Sequence, residues 1–254
     1  MGALEFRMTA PSIPRARCLV LALAVLALTV AASVKAMADE PPLPPPRPAE
    51  LAAPGRAPLE PFPPAPKGDA VSTCLGKLIA VGVSAEAASA PATPVEGCGI
   101  DAPVRLSAIT VEGGAVSLPD RPLVACEFAT ALADYVRLIV APLGQAMLHA
   151  KVAEIETGPG YACRTQDRIE GAKISAHAKG LAVDFAAITL ADKRRIVVER
   201  QTGANEESYF RAIRAAACGW FTTVLGPGSD AFHANNMHLD IEQHGSSGSY
   251  RICE

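Results

Sequence analysis

Residues 174–199 read ISAHAKGLAVDFAAITLADKRRIVVE, and the fold turns on how the aspartate at 184 is read. The almost wholly apolar run from Leu181 to Thr189 predicts a strand. Ala191-Asp192-Lys193 turns it back into a second strand over Arg194–Glu199. A carboxylate between Val183 and Phe185 contradicts a strand buried on both faces. Alternation resolves the conflict, because Leu181, Val183, Phe185 and Ala187 share one face. Ala182, Asp184 and Ala186 share the other, where the small alanines leave room around the acid. His177 stands seven positions earlier (184 − 177 = 7), and Gly180 between them lets the chain swing His177 back beside Asp184.

A second segment repeats the pattern. In Met237–Glu242 (MHLDIE), Met237, Leu239 and Ile241 point to the core, while His238, Asp240 and Glu242 point away. His177, Asp184 and His238 therefore supply two imidazoles and a carboxylate. Catalytic zinc takes three such protein ligands and leaves one position for water. Ordinary amphipathic strands have the same parity, so parity permits a metal site without requiring one.

The rest of the domain reads as strands mixed with a few helices. Val104–Val111 is a strand followed by Gly113-Gly114, and 150–156 is another, ended by Thr157-Gly158-Pro159-Gly160. Helical spacing over 127–141 ends at Pro142, and a second helix covers 206–218 with Gly219 as its stop. Phe221–Leu225 is a further strand. With no β-α-β rhythm, these predict an α+β domain built on a small antiparallel sheet with flanking helices.

Flanking composition predicts export. Arg7, Arg15 and Arg17 precede the apolar run CLVLALAVLALTVAAS (18–33), and Ala36-Met37-Ala38 is a small-x-small cleavage site, so 1–38 reads as a signal peptide. If it were retained, it would be a single membrane anchor. The stretch 41–66 holds 12 of the 22 prolines, and 39–70 reads as a semi-rigid proline-rich linker. The folded unit is then 71–254, long enough for one core. The chain has 23 Lys+Arg and 26 Asp+Glu; the leader removes four bases and one acid, leaving 19 against 25. That acidic balance, without a basic stripe, excludes a nucleic-acid binder. No second long apolar stretch stands out, so the mature chain reads as a soluble monomer of the periplasm or exterior. Apart from Cys18 in the leader, six of the seven cysteines remain, enough for three disulfides in an oxidising compartment. Cys74–Cys98 is the plausible local pair, and the other four cysteines leave three pairings open. His149 and His244 read as ordinary surface histidines.

The segment Ser175–Asp184, S-x-H-x-x-G-x-A-x-D, followed by a late His-Leu-Asp strand, is similar to the zinc D-Ala-D-Ala peptidases and murein endopeptidases. More closely, 98–254 resembles the bacterial extensin-like C-terminal domain family. The resemblance rests on CGI (98–100), YACR (161–164), SAHAKGLAVDF (175–185), AAC (216–218), TVLGPGSDAFH (223–233) and HLDI (238–241). It implies a zinc hydrolase acting on peptidoglycan stem peptides. His177, Asp184 and His238 would be the metal ligands, Arg164 would stabilise the oxyanion, and Ser175 would orient substrate or a ligand. One position departs from the pattern: murein endopeptidases of this group often show His-x-His, whereas Asn236 stands two before His238 here. An amide cannot take a proton from water, which leaves His233 as the base, with Asp240 behind the ligands. The alternative implied by Asn236 is a catalytically inactive wall-binding or envelope-maintenance module of the same fold. A disulfide-stapled structural domain without metal is the third reading.

Overall fold

The computed structural model describes residues 67–246, 248 and 250–254; the expected signal peptide (1–38) and most of the expected linker (39–70) lie outside them. The domain is mixed α+β, as its alternation suggests, but it carries two sheets rather than one. The first contains β1 (Val83–Ala87), β2 (Pro103–Val111), β3 (Gly114–Ser117), β5 (Val152–Glu156), β7 (Ala187–Leu190) and β8 (Arg195–Val197) in that order, with β4 (Leu123–Ala125) also paired to β2. The second has four strands in the order β11 (Ile252–Cys253), β9 (Thr223–Leu225), β10 (Met237–Asp240) and β6 (Ala182–Phe185). Pairing is antiparallel except between β3 and β5 and between β9 and β11.

The expected single strand over 181–189 is broken at Ala186. Before the break β6 pairs with β10, and after it β7 pairs with β5 and β8. Ala186 donates its N–H to the Glu156 carbonyl (2.8 Å) and accepts from the Val198 N–H (2.9 Å), so it belongs to neither ladder and joins both. An apolar run announces burial, but it does not reveal that the chain changes sheets partway along.

Among the described residues four α-helices accompany the sheets: α1 (Lys67–Ala80), α2 (Cys126–Tyr135), α3 (Ala141–Leu148) and α4 (Ala204–Ala217). The helix expected to stop at Pro142 instead runs on to Leu148. A five-residue π turn, Val136–Val140, widens the backbone just before the proline. Proline lacks an N–H and collides with the carbonyl four residues back in a regular helix; the wider turn relieves that collision. By length and composition alone, Cys126–Leu148 is apolar enough to cross a membrane. Its Phe128, Leu132, Tyr135, Val136 and Val140 are instead wholly buried in the domain core. Tyr135 packs edge-on against Phe221 with ring centroids 5.3 Å apart and donates its hydroxyl to the Ile213 carbonyl. Tyr209 donates likewise to the Val140 carbonyl, so the two buried phenols fasten α4 to the helix of 126–148.

The cysteines pair as Cys74–Cys126, Cys98–Cys163 and Cys218–Cys253. The expected Cys74–Cys98 pair is not formed. Cys74 lies on the buried side of α1 facing the start of α2, and β1 then carries the chain away before Cys98 is reached. Peptide mapping without reductant should recover these three bridges and no Cys74–Cys98 peptide. Cys98–Cys163 closes a loop of sequence separation 65. Replacing both cysteines by serine should lower the unfolding free energy by about 4 kcal/mol on the loop-closure relation. The shift in the urea midpoint measures it, and an unchanged midpoint would show that this bridge does not constrain the unfolded chain.

Candidate metal centre

One face of the four-stranded sheet is core and the other is chemistry. Val183, Phe185, Met237, Leu239 and Val224 are buried in the core. In the β6–β10 ladder His238 stands directly opposite Asp184, and in the β9–β10 ladder Asp240 stands directly opposite Thr223. Side chains of directly paired residues lie on the same face, so the alternation that builds the core also sets these four polar side chains together on the far side.

His177 arrives from outside the ladder. Ala176–Lys179 is one 3-10 turn, capped by the Ser175 hydroxyl accepting from the His177 N–H (3.4 Å) and closed by Gly180 at φ +69°. A Cβ at Gly180 would lie 2.8 Å from the Ala125 nitrogen and 2.9 Å from Ile100 Cγ2, so only glycine lets the turn sit this close to β4. Ser175, read from sequence as orienting substrate or a ligand, is buried and shapes the turn that carries His177, while also reaching the wall of the adjoining cleft.

The three donors converge. His177 Nε2, Asp184 Oδ1 and His238 Nδ1 are each 3.2 Å from the other two. Ligands about 2.1 Å from a tetrahedral zinc stand about 3.4 Å apart, so this triangle has the size a small divalent cation needs. The remaining ring nitrogens are occupied. His177 Nδ1 lies 2.7 Å from the Gly160 carbonyl, and His238 Nε2 lies 3.0 Å from Asp240 Oδ2. A ring nitrogen beside a carbonyl or a carboxylate can donate, so the outer nitrogens give their N–H to Gly160 and Asp240, while the inner nitrogens face Asp184 Oδ1 and would turn their lone pairs to a cation only on displacing any proton they share with that carboxylate. The donor set thus fits a metal in number and spacing. His177 is 3% and His238 8% exposed, while the Asp184 side chain is 36% exposed, so solvent reaches the triangle from the Asp184 side.

Electrostatics agree with the contacts. Burial favours the neutral acid at Asp184, but hydrogen bonds from His177 and His238 overcome it and hold the carboxyl well below the usual range. Burial opposes charge on His238, yet the Asp184 and Asp240 carboxylates push its pKa up to about 9. Asp240 is held low in turn: burial works against it, and His238 and the Glu242 N–H outweigh burial.

On the β9 side of His238, the same face floors a cleft of about 200 Å³ lined by Arg164, Ser175, Thr223, His233, Asp240 and His244 among others. Arg164 is half-buried there. Its guanidinium reaches only the Thr165 carbonyl, at 3.4 Å, and among the described residues it forms no ion pair. Its backbone carbonyl accepts from the Ser175 N–H (3.0 Å), which ties it to the His177 turn. His233 packs edge-on against His238 (centroids 5.5 Å), with Nδ1 held 2.8 Å from both oxygens of Asp230. Asn236 donates from Nδ2 to Asn235, and among the described residues its buried Oδ1 has no partner. A larger hollow of 490 Å³ has Val224 and Met237 in its wall, so it lies on the opposite side of the sheet from the donors.

Sequence reading had missed the Gly160 carbonyl, Asp230, Thr223 and His244. Only Asp230 left a local signal, an Asp-x-x-His spacing that closes within one loop. His244, taken as a surface residue, bonds Thr223 at 2.7 Å and lines the cleft.

Residues 72–254 match the family described as Extensin-like protein C-terminus. The chain belongs to that family. No curated protein and no solved structure matches the chain. The extensin-like match begins at residue 72, earlier than the resemblance at 98–254, so the larger part of α1 and the Cys74–Cys126 disulfide are part of the family unit.

Just beyond β10 a charge clamp forms, in which Lys173 and Lys179 hold Glu242 at 2.9 and 2.6 Å. Burial raises the Glu242 carboxyl, but the two ammonium groups outweigh it and the net shift is downward. The clamp therefore stabilises the fold above the ordinary carboxylate range and is lost as pH falls through the lowered value. Because both lysines are substantially exposed, Glu242→Gln should cost only about 1 kcal/mol at neutral pH. The difference in Tm from the parent should close below about pH 4; a difference still full at pH 3 would assign the loss to packing.

Proposed function

We propose that this domain is an exported, zinc-dependent hydrolase of peptide bonds in peptidoglycan stem peptides, held away from the membrane by the proline-rich segment. The observation that carries the reading is the 3.2 Å triangle of two ring nitrogens and a carboxylate oxygen, with both outer ring nitrogens already committed to acceptors. Two imidazoles and one carboxylate favour zinc over the hard, oxygen-bound cations. The substrate class is supported by the likeness of Ser175–Asp184 to zinc D-Ala-D-Ala peptidases and by the leader-like N-terminus.

Zinc, when bound, would polarise the scissile carbonyl and make water a stronger nucleophile at neutral pH. The chain's own groups divide the remaining work. The unpaired Arg164 guanidinium faces the cleft and stabilises negative charge developing on the carbonyl oxygen. With Nδ1–H directed to Asp230, His233 keeps Nε2 as an acceptor. It takes a proton as water adds to the carbonyl carbon, then returns it to the amine nitrogen as the C–N bond breaks. Asn236 favours the second reading, a wall-binding module that holds the metal without cutting, because an amide stands where a proton acceptor is found in similar enzymes.

Purified 39–254 and its His177→Ala variant, incubated with sacculi, test both readings by metal analysis and muropeptide mass spectrometry. The expected result is about one zinc per wild-type chain, new cleavage products, and loss of both in the variant. Zinc without products selects the binding module, and no zinc ends the metal reading. Arg164→Ala should keep its metal and lose about 10²–10³ in kcat; His233→Ala should lose about 10²–10⁴. A wild-type rate in either variant removes that residue from the scheme.

A further inference from the structure

We infer that Thr223 and His244 are positioning residues for the centre, acting on His238 through Asp240. The inference rests on the metal reading above. Four side chains lie in sequence along the polar face of the second sheet, two hydrogen-bonded pairs that meet where Thr223 faces Asp240 across the ladder. His238 Nε2 donates to Asp240 Oδ2 at 3.0 Å; Thr223 faces Asp240 directly across the β9–β10 ladder; and His244 Nε2 stands 2.7 Å from the Thr223 hydroxyl. Thr223 and Asp240 are both buried, so neither has water as a ready substitute for the other.

The direction of the row follows from proton counting. A carboxylate only accepts, and a threonine hydroxyl has one proton to give. If Thr223 gave it to His244, the buried Asp240 carboxylate facing it would gain nothing from that hydroxyl. The favourable arrangement has His244 Nε2–H donating to Thr223 Oγ1, and Thr223 donating to Asp240. The Glu242 N–H (2.9 Å) and the Thr222 hydroxyl (3.2 Å) both reach Asp240 Oδ1 and fix that carboxylate from the other side, which leaves Oδ2 for the Thr223 proton. With its remaining oxygen aimed at His238, Asp240 holds the ring with Nε2–H outward and Nδ1 inward. Each bond polarises the next, so loss of the outer members weakens the inner one. His244 is thereby connected to a donor of the triangle from six residues away in sequence, without touching the triangle itself.

The test compares Thr223→Val, which keeps shape and removes the hydroxyl, with Thr223→Ser, which restores it. His244→Leu is compared with His244→Gln, which keeps an N–H donor. Zinc affinity by chelator competition and the visible bands of the cobalt-substituted protein are the readouts, with thermal unfolding to confirm the fold. Removing a partner behind a metal-bound histidine weakens binding about 10–100-fold, and this row predicts a loss near the lower end, about ten-fold, for Thr223→Val and His244→Leu. Their cobalt bands should shift, while the Ser and Gln variants return both readouts to wild type. Wild-type affinity and bands in folded Thr223→Val would overturn the inference. If the wild type takes up no metal, the metal reading fails separately. The row is then judged by proton NMR of the hydrogen-bonded His238 Nε2–H, which should stay downfield in Thr223→Ser and move upfield in Thr223→Val. An unmoved resonance in Thr223→Val overturns the row.

Discussion

The pairing of β6 with β10 is the constraint on which the rest of the molecule depends. Its register sets Phe185 against Met237 and Val183 against Leu239 on the core face, and Asp184 against His238 on the other. A slip of one residue would exchange the faces, burying a carboxylate and an imidazole among the phenyl rings and exposing four large apolar side chains. Unpaired polar burial costs several kcal/mol per group on transfer scales, so the alternative register is strongly disfavoured. The hydrophobic effect thereby does the positioning: packing the core leaves two donor side chains no place but beside each other.

Keeping those groups on a largely buried face requires that each polar atom have a partner. His177 is answered by Gly160, His238 by Asp240, Asp240 by the Glu242 N–H, and Glu242 by two lysines. Gly160 can serve because it has no side chain. Its φ is +76°, and a Cβ there would meet the Leu123 carbonyl at 2.6 Å. The segment carrying Gly160 and Arg164 is fastened at Cys163 to Cys98, and the Gly99 N–H in turn bonds the Ala178 carbonyl within the His177 turn. The disulfide, the glycine and the 3-10 turn thus form one structural unit whose product is the direction of a single imidazole.

How much of this was legible beforehand follows the range of each interaction. Period-two alternation is local, and it placed Asp184 and His238 on matching faces of two strands without coordinates. The His177 turn was legible through Gly180 for the same reason. The break at Ala186 was not, because both halves of 181–189 are apolar and only their partners differ. The Cys74–Cys98 expectation failed because closeness in sequence says nothing about a helix and a strand that carry the two residues apart. Pro142 misled for a subtler reason: the rule that ends a helix at proline assumes a regular ring of hydrogen bonds, and the π turn at Val136–Val140 changes that ring. Backbone acceptors such as the Gly160 carbonyl leave no trace in residue identity.

Asn236 gains its meaning from the same geometry. It stands just before β10 in a bend, where its amide is turned to Asn235 and its carbonyl oxygen has no partner among the described residues. A basic nitrogen reaches that neighbourhood by another route, from the loop rather than the strand. Asp230 accepts the backbone N–H groups of Phe232 and His233 as well as the His233 ring, so one carboxylate both shapes the loop and orients the imagined base. A ring built on a strand inherits its position from the ladder. A ring built on a loop holds its position only while that carboxylate grips it. On the proposed hydrolytic reading, proton transfer in this domain therefore depends on a three-residue local contact, whereas metal binding depends on the sheet itself. The two properties are separable in a way that His-x-His on a single strand would not allow.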